Sequence, residues 1–154
     1  QPGVYGAYGR SPTGIMTTSY FASDCAGSYP QGIGSIMITY ALEGGTQRSY
    51  HPHPGVPYSG TSRVAYLPCT KEAQDLLQRL KYAFQYGLTF GISGNDKIVW
   101  SSIPHKTKRS MGGQQGWPDP DYFKRCHNAL DDLWVPLAED LTSRTITHPD
   151  GLLW

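Results

Sequence analysis

Between His51 and Gly60 the chain reads HPHPGVPYSG, three prolines and two glycines in ten residues. Proline has no backbone N–H and a fixed φ, so neither a helix nor a continuous strand ladder passes through such a stretch. A rigid loop is expected here. The same punctuation recurs along the whole chain, where 18 Gly and 12 Pro occupy 30 of 154 positions, close to a fifth against roughly 12% in average usage. Long uninterrupted helices are therefore not expected, and short elements joined by ordered loops are.

Around that loop the pattern resolves into a few elements. The first 32 residues are rich in Gly, Ser, Thr, Tyr and Pro without a clear period, which predicts an irregular segment over residues 1–11 and one short strand near Ile15 to Tyr20. From Gly34 to Leu42 the alternation of Ile36, Ile38 and Tyr40 with Met37 and Thr39 predicts a strand covered on both faces, ended by Gly44 and Gly45. Arg63 to Leu67 reads as a short strand stopped by Pro68. Thr70 then caps a helix with Leu76, Leu77, Leu80, Ala83 and Phe84 at helical spacing and Gly87 as its stop. Two apolar runs, Leu88 to Ile92 and Lys97 to Trp100, flank Ser93, Gly94, Asn95 and Asp96, the composition of a hairpin turn. After a polar, Gly-rich loop over Ser101 to Gly116, Asp119 and Pro120 offer an N-cap and a first helical residue. The helix they would open has Tyr122, Cys126, Ala129, Leu130 and Leu133 as its buried stripe. The tail from Pro136 has weak periodicity.

Composition narrows the class. Apolar residues make up 38% and charged residues 16% of the chain, enough for one core at a length that makes one domain. The fold class expected is α+β, a single domain of short antiparallel strands, two principal helices and long ordered loops. No run approaches the roughly 18 apolar residues of a membrane span, and the N-terminus lacks the order of a signal peptide. A soluble chain cut from a longer protein, with no membrane partner, is expected. Thirteen basic against twelve acidic residues leave a formal charge of +1; with no long-range field to gather a polyanion, nucleic acid is not an expected partner. Cys25, Cys69 and Cys126 form no CxxC pair, so free thiols in a cytoplasmic or nuclear protein are the expectation, supported by the absence of an Asn-X-Ser/Thr sequon.

The candidate chemistry lies in the loops. His51 and His53 supply two imidazoles, short of the three or four ligands a zinc site takes, and histidines bonded to backbone are the alternative; no metal is expected. Neither GxSxG nor GxxxxGK[ST] occurs. What remains is a set of polar loops interleaved with aromatics: His51 to Gly60 with Tyr58, Ser93 to Asp96, Trp100 to Arg109, and Gly112 to Asp119 with Trp117. Rings beside Gly-rich backbone and a few cations suit a base or nicotinamide ring joined to phosphates. The competing readings are core packing for Trp100 and Trp117 and a solvated basic loop for Lys106, Lys108 and Arg109.

These same residues resemble the C-terminal domain of the Deltex family of ubiquitin ligases. HPHPG followed by Tyr58, Arg63 and AYLP (Ala65 to Pro68) is similar to that family's HPNPG, aromatic and R-x-x-YLP segment. LLQRLKYAF resembles its LLK-x-AF/AW helix, IVW then PHKT (Ile98 to Thr107) its VVW then HHKT, and GWPDPDYF (Gly116 to Phe123) its GYPDPNYL. Weaker likenesses lie at Gly14, Met16, the strand from Gly34 to Tyr40, Gly45 and Gln47. The likeness runs from about residue 12 to 135, which sets a domain over 12–135 and a C-terminal extension over 136–154.

The resemblance implies a domain that binds ADP-ribose or NAD, presents ADP-ribosylated proteins to a RING domain and its ubiquitin-charged E2, and in some members joins ubiquitin to the ADP-ribose. Three scattered cysteines cannot build a RING. The departures from the family pattern bear on chemistry. Pro104 replaces the first of two histidines, the one associated with chemistry on the ribose; Gln115 replaces a ligand-contacting histidine; Ala129 replaces a catalytic glutamate; and the ligand loop is shortened to Ser93, Gly94 and Asn95. Proline and alanine transfer no protons, so ribose modification is expected to be lost, with Asp132 one turn on reading as a solvated helix position rather than a substitute. No cofactor is required and no catalytic residue is assigned.

Binding is less affected. The expected ligand-binding residues are Ser93, Gly94, Asn95, Trp100, His105, Gln115, Trp117 and Arg63. They are expected in one cleft, where Trp117 is partly exposed, an anion sits at the start of the second helix and Arg63 meets a phosphate or pairs with Asp119. The alternatives are a protein-interaction scaffold with a degenerate pocket and the substrate-positioning part of an active ligase.

Overall fold

In a computed structural model, which describes residues 3–6, 9–111 and 115–143, the chain folds into one α+β unit. In order the elements are β1 (Val4–Gly6), β2 (Gly14–Phe21), β3 (Ser35–Leu42), β4 (Gly45–Thr46), β5 (Pro57–Tyr58), β6 (Thr61–Pro68), α1 (Lys71–Gln85), β7 (Phe90–Ile92), β8 (Ile98–Trp100), α2 (Tyr122–Asp132) and α3 (Ala138–Ser143). The principal sheet runs β1-β2-β3-β6, with every neighbouring pair antiparallel. Two small hairpins, β4-β5 and β7-β8, stand beside it.

Period-two alternation decides which face of the sheet is covered. Met16, Ile36, Ile38, Tyr40, Ala65 and Leu67 are buried, and the registers Met16↔Tyr40, Ile36↔Leu67 and Ile38↔Ala65 put them on one side. α1 supplies the opposing surface through Leu76, Leu77, Leu80, Ala83 and Phe84, all buried. Each of these leucines contributes about 1.5–3 kcal/mol by leaving water. The Thr70 hydroxyl accepts from the Ala73 N–H at 3.1 Å, and Gly87 takes φ +73° just past the helix, so start and stop lie where expected. Gly6 admits Phe84: a Cβ there would meet the Phe84 carbonyl at 2.7 Å.

Three expectations are corrected. The segment 1–11 is not wholly irregular, because Val4 to Gly6 pairs with Gly14 to Met16. β3 is closed on one face and only partly covered on the other, where Met37 and Thr39 are half-buried and Ala41 is exposed. α2 begins at Tyr122, with Asp121 at its N-cap and Pro120 outside the helix; the Asp119 carboxylate is engaged elsewhere. Part of the tail is helical, α3 packing on α1, while 112–114 and 144–154 lie outside the described residues.

A buried arginine fixes how α1, α2 and the following turn meet. Arg79 is 1% exposed; its guanidinium donates to the carbonyls of Val135 (2.9 Å) and Pro136 (3.0 Å), to Asp131 (2.7 Å) and to His127 Nδ1 (2.8 Å).

Candidate functional site

Between β8 and α2 the described residues form no helix or strand, yet their backbone is fixed at several points. The N–H groups of Ser101, Tyr66 and Ala26 form bonds to Thr89, Lys106 and Arg109 carbonyls at 2.9, 2.7 and 2.8 Å respectively. The Pro104 carbonyl accepts from the Tyr122 hydroxyl (2.8 Å) and the Cys126 thiol (3.7 Å) on α2. The deepest anchor is His105. Its Nδ1 faces the Ile103 carbonyl at 3.0 Å and its Nε2 the Tyr40 hydroxyl at 2.8 Å. A carbonyl only accepts, so Nδ1 carries the proton and Tyr40 donates to Nε2. Burial pushes the imidazole down to about 4, leaving a neutral ring that stacks on Trp100 at 4.4 Å. Trp100 in turn stacks on Phe90 at 4.6 Å, and Tyr40 meets all three rings edge-on.

Trp100 and His105 of this group form one wall of an open cavity of about 710 Å³, lined by Trp100, residues 101–105, Gln115, Asp119 and Arg125. Asp119 is its electrostatic centre. The carboxylate accepts two bonds from Arg125 (2.8 and 3.1 Å) and one from the Lys106 ammonium at 2.6 Å. Arg125, then Lys106, holds the Asp119 carboxyl well below the usual carboxylate range. It also accepts from the Asp121 N–H at 3.2 Å, so the anion at the entry to α2 is the protein's own.

The expected site residues divide between two recesses. Trp100, His105 and Gln115 share the cavity just described. Arg63 and Asn95 line a separate cleft of about 450 Å³ with Tyr58, Asp96 and Lys97, and Arg63 donates to Thr61 Oγ1 and the Ser62 carbonyl rather than to Asp119. Ser93 and Gly94 form the β7-β8 turn, where the Ser93 hydroxyl accepts from the N–H of Asn95 and Lys97. That turn is held to the Pro-rich loop: Asp96 accepts from Gln47 and His53, both at 2.7 Å. His51 binds backbone, accepting from the Arg48 N–H (2.9 Å) and reaching the Arg10 carbonyl (2.8 Å).

The expected exposure of Trp117 fails, and so does the competing reading of Lys106 as solvated. Trp117 is 5% exposed rather than a partly open wall, because its ring packs against Tyr122 and Phe123. Lys106 is 1% exposed rather than solvated, its ammonium lying over the Trp117 and Tyr122 rings and bonded to Asp119. Asp119 and Arg125 entered no expected ligand site; the pairing spans the start of a helix, where no i,i+4 spacing marks it.

Chemically the cavity offers aromatic edges, exposed amide and hydroxyl groups and a cation shared with a carboxylate. Pro104 has no proton to give, Ala129 is a half-buried methyl on α2, and both nitrogens of His105 are occupied. Recognition is open to this site; acid–base chemistry through those positions is not.

Comparison with known proteins agrees on a single family. The Deltex C-terminal domain model matches residues 8–135. The probable E3 ubiquitin-protein ligase DTX3 of Homo sapiens is 39% identical over 130 residues, 79% of this chain and 37% of that protein. The E3 ubiquitin-protein ligase DTX4 of Mus musculus is 32% identical over 120 residues, 71% of this chain and 19% of that one. For the E3 ubiquitin-protein ligase DTX1 of Xenopus laevis the figures are 33% over 109 residues, 64% and 17%. The chain thus spans well under half the length of these relatives.

Proposed function

The chain belongs to the Deltex C-terminal domain family, and from that membership we propose that it is the recognition part of a Deltex-like ubiquitin ligase, taking ADP-ribose, NAD or the ADP-ribose of a modified protein into the cavity beside Trp100. The observation that carries this reading is the cavity itself: two of the segments that the resemblance associates with ligand, 100–105 and Gln115, converge on one recess of about 710 Å³, a size that suits a small organic ligand, while the Ser93–Asn95 turn stands outside it. Gln115 retains donors and an acceptor, and Arg125 stands at the rim to share its charge with a phosphate. A RING domain and a ubiquitin-charged E2 are the partners this role requires. Transfer to a bound target needs positioning alone, since the E2 thioester supplies the leaving group and a target lysine the nucleophile. Joining ubiquitin to the ribose needs a base, and Pro104 and Ala129 remove it.

Calorimetric titration with ADP-ribose and with NAD tests the reading. Saturable heat that Gln115→Ala weakens several-fold is expected. No heat and no thermal shift at millimolar ligand would sink it. The second reading, a protein-interaction scaffold with a degenerate pocket, is favoured by the burial of Trp117 and by the double engagement of His105, and it is the one left standing if neither ligand binds.

A further inference from the structure

Two residues beyond His105 the same loop leaves the cavity and lines another recess, of about 480 Å³, together with Asp24, Ala26 and Tyr66. Arg109 dominates it. Its guanidinium lies 5.4 Å from the Phe21 ring centre and 5.3 Å from that of Tyr66. The registers explain the bridge. Phe21 pairs with Ser35 and Tyr66 with Met37, so both rings stand on the sheet face turned away from α1, with β3 between them. Strands lie about 4.8 Å apart, so two rings separated by one strand leave a slot about as wide as one planar cation needs to touch both. The Arg109 carbonyl, bonded to the Ala26 N–H at 2.8 Å, fixes the backbone behind it.

The guanidinium lies over two ring faces, which offer no acceptor in the plane of its five N–H donors. Among the described residues it has no hydrogen-bond or ion-pair partner. The one carboxylate in the recess, Asp24, directs its two oxygens at the N–H groups of Gly32 (2.7 Å) and Gly34 (2.6 Å). Lys108 and Arg109 outweigh it, and the Ser110 and Tyr66 hydroxyls add neutral donors. A fixed planar cation with free donors, a second cation and hydroxyls around one concavity is complementary to an anionic group with two or three oxygens. Beside it the Phe21 ring is 38% exposed. That ring adds apolar contact for the chain that carries the anion, and a free inorganic ion makes no use of it.

We propose that Arg109, held between Phe21 and Tyr66, is a docking point for an acidic side chain, carboxylate or phosphomonoester, of a partner polypeptide. It does not depend on ADP-ribose binding. The test is an NMR titration of the ¹⁵N-labelled chain with acetyl-Phe-phosphoserine-Phe amide, with the same peptide carrying glutamate or serine at its centre, and with inorganic phosphate. The two acidic peptides are expected to shift the Arg109 Nε–H and Ser110 amide signals saturably, and the serine peptide and inorganic phosphate to bind at least tenfold more weakly. Arg109→Gln should cost tenfold or more in peptide affinity, the exposed Lys108→Gln about threefold, and Arg48→Gln nothing. Unperturbed Arg109 signals, equal binding of the serine peptide, or equal losses from Arg48→Gln and Arg109→Gln would each overturn the proposal. Inorganic phosphate binding as tightly as the peptides would do so too, by making this a small-anion site.

Discussion

Replacing Asp119 with Asn removes one charge from the centre of the cavity and keeps the shape. The lost partners are unequal. Arg125 is 48% exposed, and a pair of that kind is worth about 0.2–1 kcal/mol. Lys106 is 1% exposed, and a buried hydrogen bond to a charged group is worth about 1.5–3 kcal/mol. Breaking a fully buried ion pair costs about 3–5 kcal/mol, but Asp119 keeps 19% of its side chain in solvent and Asn still accepts one bond. Together these give a loss of about 3 kcal/mol, or roughly 6–12 °C in Tm for a domain of this size. Urea denaturation followed by tryptophan fluorescence measures it directly. Because an apolar replacement of both partners is tolerated better than an orphaned charge, adding Lys106→Met should recover at least about 1 kcal/mol. The pH dependence has a definite sign. The folded Asp119 carboxyl titrates below its ordinary value of 3.8, so its contribution is complete above about pH 4 to 5 and is lost as pH falls further. The gap between the natural chain and Asp119→Asn should therefore close on acidification. A loss under about 1 kcal/mol at pH 7, or a gap that widens in acid, would refute the coupling of Lys106 to Asp119.

Other expectations follow from single contacts. His105 is held neutral with its pKa lowered from 6.5 to about 4, so the unfolded chain takes up a proton before the folded one; stability should be full above about pH 6.5 and fall by about 3 kcal/mol by pH 4. ¹⁵N spectra should show the proton on Nδ1 throughout, and a charged ring at pH 6 would disprove the burial argument. Tyr40→Phe leaves the His105 Nε2 acceptor without its donor and should cost about 1–3 kcal/mol in urea denaturation; no change would mean that the bond is not made. Arg79→Met deprives two carbonyls of a charged donor and should cost about 3–5 kcal/mol, with a loss under about 1 kcal/mol counting against the clamp between the helices. Burial raises the Cys25 thiol to about 12 and the Cys126 thiol to about 11, while Cys69 is half-buried. One thiol of three should react quickly with a disulfide reagent at pH 8, and rapid reaction of all three would be the contrary result.

What could be read from the sequence was whatever depends on neighbours along the chain. The leucines of α1, with Thr70 before them and Gly87 after, define that helix by spacing and capping alone, and the residues from Ser93 to Asp96 announce their turn. The loops that form the cavity were legible through the family likeness. The failures share one cause: a partner that no regular helix or strand spacing marks. Asp119 has the composition of an N-cap, but Lys106 and Arg125 engage its carboxylate and the helix starts later. Lys106 looks solvated until Asp119, Trp117 and Tyr122 close around it. Trp117 sits in a loop and still packs inward, while Arg63 and Asn95, expected beside Trp100, lie at the other end of the β7-β8 hairpin.

The bond from Tyr40 to His105 ties the cavity wall to the central strand of the sheet. None of the cavity-lining residues lies in that sheet, yet the wall keeps its shape only while β3 is in place. Amide protons of β3 and β6 exchange with solvent through openings that also dismantle the wall, whereas those of the exposed β7-β8 turn exchange through smaller local openings. A ligand that requires the intact wall slows the first class by the factor 1 + [L]/Kd and leaves the second unaffected. Deuterium uptake in strands that do not line the cavity thus becomes a gauge of its occupancy.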